Sequence, residues 1–170
     1  MFNAAAERFR GPLHWWQALP VLTQDAGLAA TFTVLGLLPP LAANGLRLGD
    51  LPLHRAGPLA VFLALAQCLP LVIRRRWPAF GLALVACAFA ADQLLGYPRS
   101  FSSVGLLLAL YAAGAYEASF RRELIAGATA SYVVLAVALA GLGSTEPPID
   151  YAVFYLALCA CWGAGAFVRS

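Results

Sequence analysis

Six mostly apolar runs, at residues 26–46, 57–73, 77–97, 101–116, 124–143 and 151–168, take up most of this chain, and only short turns separate them. A bilayer core about 30 Å thick asks for roughly 20 apolar residues per helix, so each run is read as a membrane helix. The expected fold class is all-α: a polytopic membrane protein, a bundle of transmembrane helices with short loops. It divides into a cytoplasmic or interfacial segment over 1–24 and a six-helix transmembrane domain over 25–170. Composition leaves little room for another class. Apolar residues make up 62% and charged residues 11%, against about 45–50% and about 25% in soluble domains. A soluble fold of this length leaves much of its chain facing water and could not hide so much hydrocarbon. Disordered chains are poor in apolar residues, and 15 Gly with 4 Cys fit neither a collagen nor a disulfide scaffold.

Net charge is +3, and every basic side chain apart from the two histidines is an arginine. The arginines sit in small clusters between apolar runs, which is how membrane proteins are oriented and offers no nucleic-acid-binding face. With the N-terminus in the cytoplasm, Arg8, Arg10, Arg74, Arg75, Arg76, Arg121, Arg122 and Arg169 lie inside, and Arg47, Arg55 and Arg99 lie outside. That bias is the positive-inside pattern. Both termini are therefore expected in the cytoplasm of a multi-pass plasma-membrane protein, with Arg74, Arg75, Arg76, Arg121 and Arg122 setting the topology. Cys68, Cys87, Cys159 and Cys161 lie within apolar runs and read as small hydrophobes.

Local signals refine the picture. Pro39 and Pro40 should kink or break the first span. The second span is the shortest and contains Pro70; its 17 residues cover only about 26 Å, so it must stand upright or thin the bilayer. Thr23 or Asp25 is expected to cap the first membrane helix. Before it, Leu13-His14-Trp15-Trp16 reads as an interfacial anchor, and Gly11-Pro12 with Gln17 interrupts any signal-peptide core.

Convergent chemistry is sparse. His14 and His54 fall on opposite sides of the membrane in this topology, and the chain has no phosphate loop or zinc-binding helix motif. Asp92, beside Gln93, is the one acid well within a span. It is either a buried switch or hydrogen-bonding group, or an acid that snorkels to the interface. Gln67 is the other candidate for an interhelical hydrogen bond. Glu117 and Glu123, beside Arg121 and Arg122, read as solvated charges. Gly163-Ala164-Gly165 reads as helix packing. In the last span Tyr151, Tyr155, Leu158 and Trp162 form a bulky stripe, with Val153, Ala157, Ala160 and Ala164 nearly opposite. Small residues let helices approach closely in lipid, so the alanine face is the one expected to pack.

Two strings carry a family resemblance: Leu69-Pro70-Leu71-Val72-Ile73-Arg74-Arg75-Arg76-Trp77-Pro78, and Leu108-Ala109-Leu110-Tyr111-Ala112-Ala113-Gly114-Ala115-Tyr116 followed by Arg121-Arg122. With the spans around them, from about residue 25 to 169, they resemble the N-terminal membrane region of actinobacterial two-component sensor histidine kinases. These are the kinases whose phosphoacceptor domain feeds helix-turn-helix response regulators. The resemblance implies a homodimeric sensor region ahead of a cytosolic phosphoacceptor helix and an ATP-binding domain. Neither His14 nor His54 matches the phosphoacceptor, so residues 1–170 contain no catalytic residue and no cofactor site. ATP, Mg and a response regulator would be engaged only by a kinase core outside them. The outer connections are too short to fold a sensing domain, so the signal is expected within or at the bilayer, the chain's immediate partner. Gln67, Pro70, Asp92, Trp162 and Arg169 are the candidate signal-transmission residues. The rival reading is a small stand-alone transporter or channel subunit. It lacks the midplane polar cluster such proteins show. A membrane-embedded enzyme would need two convergent acid–base or metal-binding groups.

Overall fold

A computed structural model describes residues 20–38, 44–55, 57–117 and 119–169. The expected anchor Leu13-His14-Trp15-Trp16, with Arg8 and Arg10, and the Pro39-Pro40 break lie outside the described residues. Within them the chain is all-helical, with six α-helices. These are α1 (Val21–Leu37), α2 (Pro58–Cys68), α3 (Pro78–Leu94), α4 (Gly105–Tyr116), α5 (Arg121–Gly141) and α6 (Pro148–Arg169), and 3-10 turns at Leu69–Ile73 and Phe101–Val104 extend α2 and precede α4.

The helix ends follow from backbone chemistry. Leu38 leaves α1 in an extended conformation (φ −78°, ψ 119°), as a residue preceding proline is pushed to do. The first helix thus begins earlier and ends well before the 26–46 run suggested. Pro20 stands at its N-cap position with no side-chain cap, so the expected capping by Thr23 or Asp25 is corrected: both lie inside the helix. Pro58, Pro78 and Pro148 open α2, α3 and α6, where a missing N–H costs nothing. Pro70 falls where α2 tightens into the 3-10 turn. It cannot supply the N–H that would continue the α-helical ladder.

α5 and α6 are long and apolar enough to cross a membrane, with mean hydropathies of 2.0 and 1.7 over their most apolar stretches. Only 11% and 6% of those stretches is buried. The apolar stretches Pro58–Ile73, Pro78–Leu94 and Phe101–Tyr116 are shorter.

α4 lies along α6 at backbone contact. A Cβ on Gly114 would come 2.3 Å from the Trp162 carbonyl oxygen, and one on Gly165 would come 2.0 Å from that of Tyr111. Gly165 therefore packs as expected, whereas Gly163 meets nothing within 4 Å and Ala164 is exposed. The expectation for the two stripes of the last span is reversed. Val153, Ala157, Ala160 and Ala164 are all exposed, while Tyr151, Tyr155, Leu158 and Trp162 are half-buried. The reason is that partners for the large side chains exist on only one side. Phe154 stacks between Phe89 of α3 and Tyr132 of α5, with ring centroids 6.0 and 6.2 Å away. The Tyr132 hydroxyl donates to the Tyr151 carbonyl at 2.6 Å, and Thr129 and Tyr155 share a hydrogen bond of 2.9 Å. The core around these contacts includes Val85, Phe89, Leu106, Ala113, Leu135 and Leu139.

Candidate functional site

Two polar clusters close the helical assembly, one at each end. At the end where the 3-10 turn runs into Arg74-Arg75-Arg76, the carboxylate of Asp25 is the organiser. Its residue is only 1% exposed, and it reaches the turn because it sits inside α1, one helical turn from the N-terminus. Arg74 donates to Oδ1 from Nε at 3.0 Å and from Nη2 at 2.8 Å. Arg75 Nε lies 3.1 Å from Oδ2, an ionic contact without the alignment of a hydrogen bond. Arg75 also stands 5.7 Å over the ring of Tyr116 at the end of α4, within cation–π range. One residue on, the Glu117 carbonyl accepts a hydrogen bond from the guanidinium of Arg169, at the end of α6. Asp25, Arg75, Tyr116, Glu117 and Arg169 thus form a connected series joining α1, the α2–α3 turn, α4 and α6. Arg76 and Arg122 are exposed and Arg121 is half-buried.

At the opposite end the connection over 44–55 folds down onto the helices. Leu48 and Leu51 are buried. The Leu48 N–H donates to Gln93 Oε1 at 2.8 Å, the Leu46 N–H to Ser103 Oγ at 2.6 Å, and the His54 N–H to the Gly96 carbonyl at 2.8 Å. Gly96 holds φ +62° here, with the Pro52 carbonyl 2.5 Å from where a Cβ would stand. Asp50 reaches the turn after α5: its carboxylate accepts from the hydroxyl and N–H of Thr145 and from the Ser144 hydroxyl. Those hydrogen bonds, led by the Thr145 hydroxyl, lower its pKa from the ordinary carboxylate value to about 2. The Gly49 N–H donates to Glu146 at 2.9 Å.

The sequence-derived candidates divide between these regions. Trp162 and Arg169 both flank the last turn of α4. Asp92 is buried, 3.4 Å from the Gln93 side-chain amide, which removes the snorkelling alternative. Gln67 is fully buried, but both polar atoms of its amide lack a partner, so the expected interhelical hydrogen bond is not made. The approach to α4 at this point is between backbones: a Cβ on Gly105 would come 2.8 Å from the Gln67 carbonyl. Pro70 lies beside α3, its carbonyl 3.3 Å from where a Cβ on Gly81 would stand. What the sequence reading missed is Asp25 as an ion-pair partner and the 44–55 connection as a folded cap. An acid just inside the first helix, on the same side as an arginine triplet, was the available signal for the first. Leu48 and Leu51 within a polar connection were the signal for the second.

Residues 13–170 match the family described as a domain of unknown function, DUF7134. No curated protein and no solved structure matches the chain.

Proposed function

The chain belongs to the DUF7134 family, and from that premise we propose that it is the membrane-embedded input module of a two-component sensor histidine kinase. In this reading six helical stretches cross the plasma membrane, both ends are cytoplasmic, and a dimer passes an envelope or intramembrane signal through α6 into a cytosolic kinase core. Several features support the crossing. α5 and α6 expose most of their apolar surface, as helices solvated by lipid do and core helices in water do not. The Asp25–Arg74 pair and the Arg169–Glu117 contact bring the start of α1 and the end of α6 to the arginine-bearing end. The shorter helices fit a locally thin bilayer.

The observation that carries the signalling reading is the series Asp25–Arg75–Tyr116–Glu117–Arg169. It ties the final residue of α6 to three other elements at the end from which a cytosolic helix would leave. A change in the tilt of α1 or in the Pro70 turn moves Arg75 against Tyr116 and so shifts the purchase of Arg169. A ligand biases such a switch only through unequal affinity for its two states.

Three experiments test this. Reporter fusions at Asp50 and Glu146 are expected to read as external, and fusions after Arg76 and Arg169 as cytosolic. The open reading frame past Ser170 is expected to continue into a charged heptad helix with a histidine; a stop codon there overturns the kinase assignment. Solute flux through reconstituted vesicles would return the transporter reading instead.

A further inference from the structure

An apolar groove of about 380 Å³ runs between α3 and α5, floored by α4 and α6, a size within the range of small-ligand sites. Ala83 and Cys87 on one rim and Gly127 and Ser131 on the other are exposed, so the groove opens sideways along the helices. Its α5 wall carries Glu123, Gly127, Ser131 and Leu135 at four-residue spacing, and therefore on one face. From the first of these to the last the wall runs about 18 Å. Glu123 is the single charged side chain among the lining residues described. By the same spacing Arg122 falls on the opposite face of α5, and Arg121 does not line the groove. The Glu123 carboxylate is exposed and, among the described residues, makes no side-chain ion pair or hydrogen bond. The Tyr132 hydroxyl is already donated to the Tyr151 carbonyl at 2.6 Å.

We propose that this groove binds a single-chain cationic amphiphile, its alkyl chain lying along α3 and α5 and its protonated primary amine held at Glu123. A carboxylate suits the first turn of any helix, so the charge by itself decides nothing. What singles Glu123 out is that it stands at the head of a long apolar wall with no partner of its own. The walls accept hydrocarbon by burial alone, and an ammonium group gives the carboxylate a charge-assisted hydrogen bond. Charge complementarity also separates this occupant from a bilayer lipid. The amine of a phosphatidylethanolamine comes with a phosphate, for which the lining offers no cation, whereas a free alkylammonium brings no second charge. As a stimulus the amphiphile rests on the input-module reading; as a bound ligand it does not, because the measurement is of binding alone.

The test uses the full chain in phosphatidylcholine nanodiscs at neutral pH, with protein-free nanodiscs as the baseline for partition into lipid. Dodecylamine, dodecanol and dodecanoate, which share a chain and differ in head charge, are titrated in turn, and bound ligand is counted by native mass spectrometry. Dodecylamine is expected to bind about threefold more tightly than dodecanol, the scale of an exposed ion pair, and dodecanoate more weakly than either. Glu123→Gln should bring dodecylamine down to the level of dodecanol and leave dodecanol unchanged, which a misfolded protein would not do. Glu123→Lys should transfer the preference to dodecanoate, a gain that misfolding cannot imitate. Gly127→Leu keeps every charge and fills the groove from a position where a Cβ meets nothing within 4 Å; it should weaken binding of all three chains. Equal binding of amine and alcohol, a preference that survives Glu123→Gln, or indifference to Gly127→Leu overturns the proposal.

Discussion

Asp25 and Arg74, 49 positions apart in the chain, meet through two hydrogen bonds of 3.0 and 2.8 Å to one carboxylate oxygen. The side chains are 2% and 12% exposed, so this is a buried pair. Its removal from one side strands the other charge. Asp25→Asn is expected to destabilise the protein by about 3–5 kcal/mol, read as a fall in the unfolding free energy in detergent. Asp25→Asn combined with Arg74→Gln should cost less than the sum of the two single changes. Additive losses would mean that the two residues do not act together.

The α4–α6 crossing makes its own prediction. Gly114→Ala and Gly165→Ala each place a methyl within 2.3 Å of a backbone oxygen, and the helices must part by a cost of about 1–3 kcal/mol each. Gly163→Ala meets open space and should leave stability unchanged or slightly raised, because alanine is the better helix former. Thermal midpoints of the three variants decide the matter.

The reversed faces of α6 can be read the same way. Phe154→Ala, which empties the stack between Phe89 and Tyr132, should cost about 3–5 kcal/mol. Ala157→Leu and Ala160→Leu, on the exposed face, should be tolerated by the isolated protomer. If the leucines unfold it while Phe154→Ala does not, the helix is rotated from the orientation given above.

Gln67 is the one buried amide with neither polar atom partnered among the described residues. Replacing such a group by an apolar one of similar size removes an uncompensated desolvation cost of about 1–3 kcal/mol. Gln67→Leu is therefore expected to raise the unfolding midpoint, and a lowered midpoint would show that the amide is engaged.

Acid should loosen the far cap. The Asp50 carboxyl is lowered to about 2 in the folded protein, against 3.8 for an unperturbed aspartate, so its hydrogen bonds to Thr145 and Ser144 favour the folded state above pH 3.8. That contribution fades as pH falls from there through about 2. Amide exchange over 44–55 should quicken in that window, and in Asp50→Asn it should lose the dependence.

The helical class and the positions of the breaks were legible in the residues, because apolar run length and proline placement act locally. Pro78 opens a helix and Leu38 leaves one for reasons visible within a residue or two. The arginine clusters were legible as charge, but their partner was not. Asp25 looked like a cap because capping is the local use of an acid near a helix start, and its pairing with Arg74 requires α1 to lie against the α2–α3 turn. The faces of α6 were misread for a related reason. Small residues permit close approach on any side that has a neighbour, and a single sequence cannot say where the neighbours are.

What the chain alone determined is therefore its all-helical character, its hydrocarbon-rich surface and the gathering of its arginines in short turns, all consequences of composition and local backbone limits. Tertiary structure decided which stripe of α6 turns inward, where Gly114 and Gly165 let two backbones touch, and that Asp25 closes on Arg74 and Arg75. Those outcomes depend on contacts between segments distant in sequence, and their free energies exist only once the helices are placed side by side.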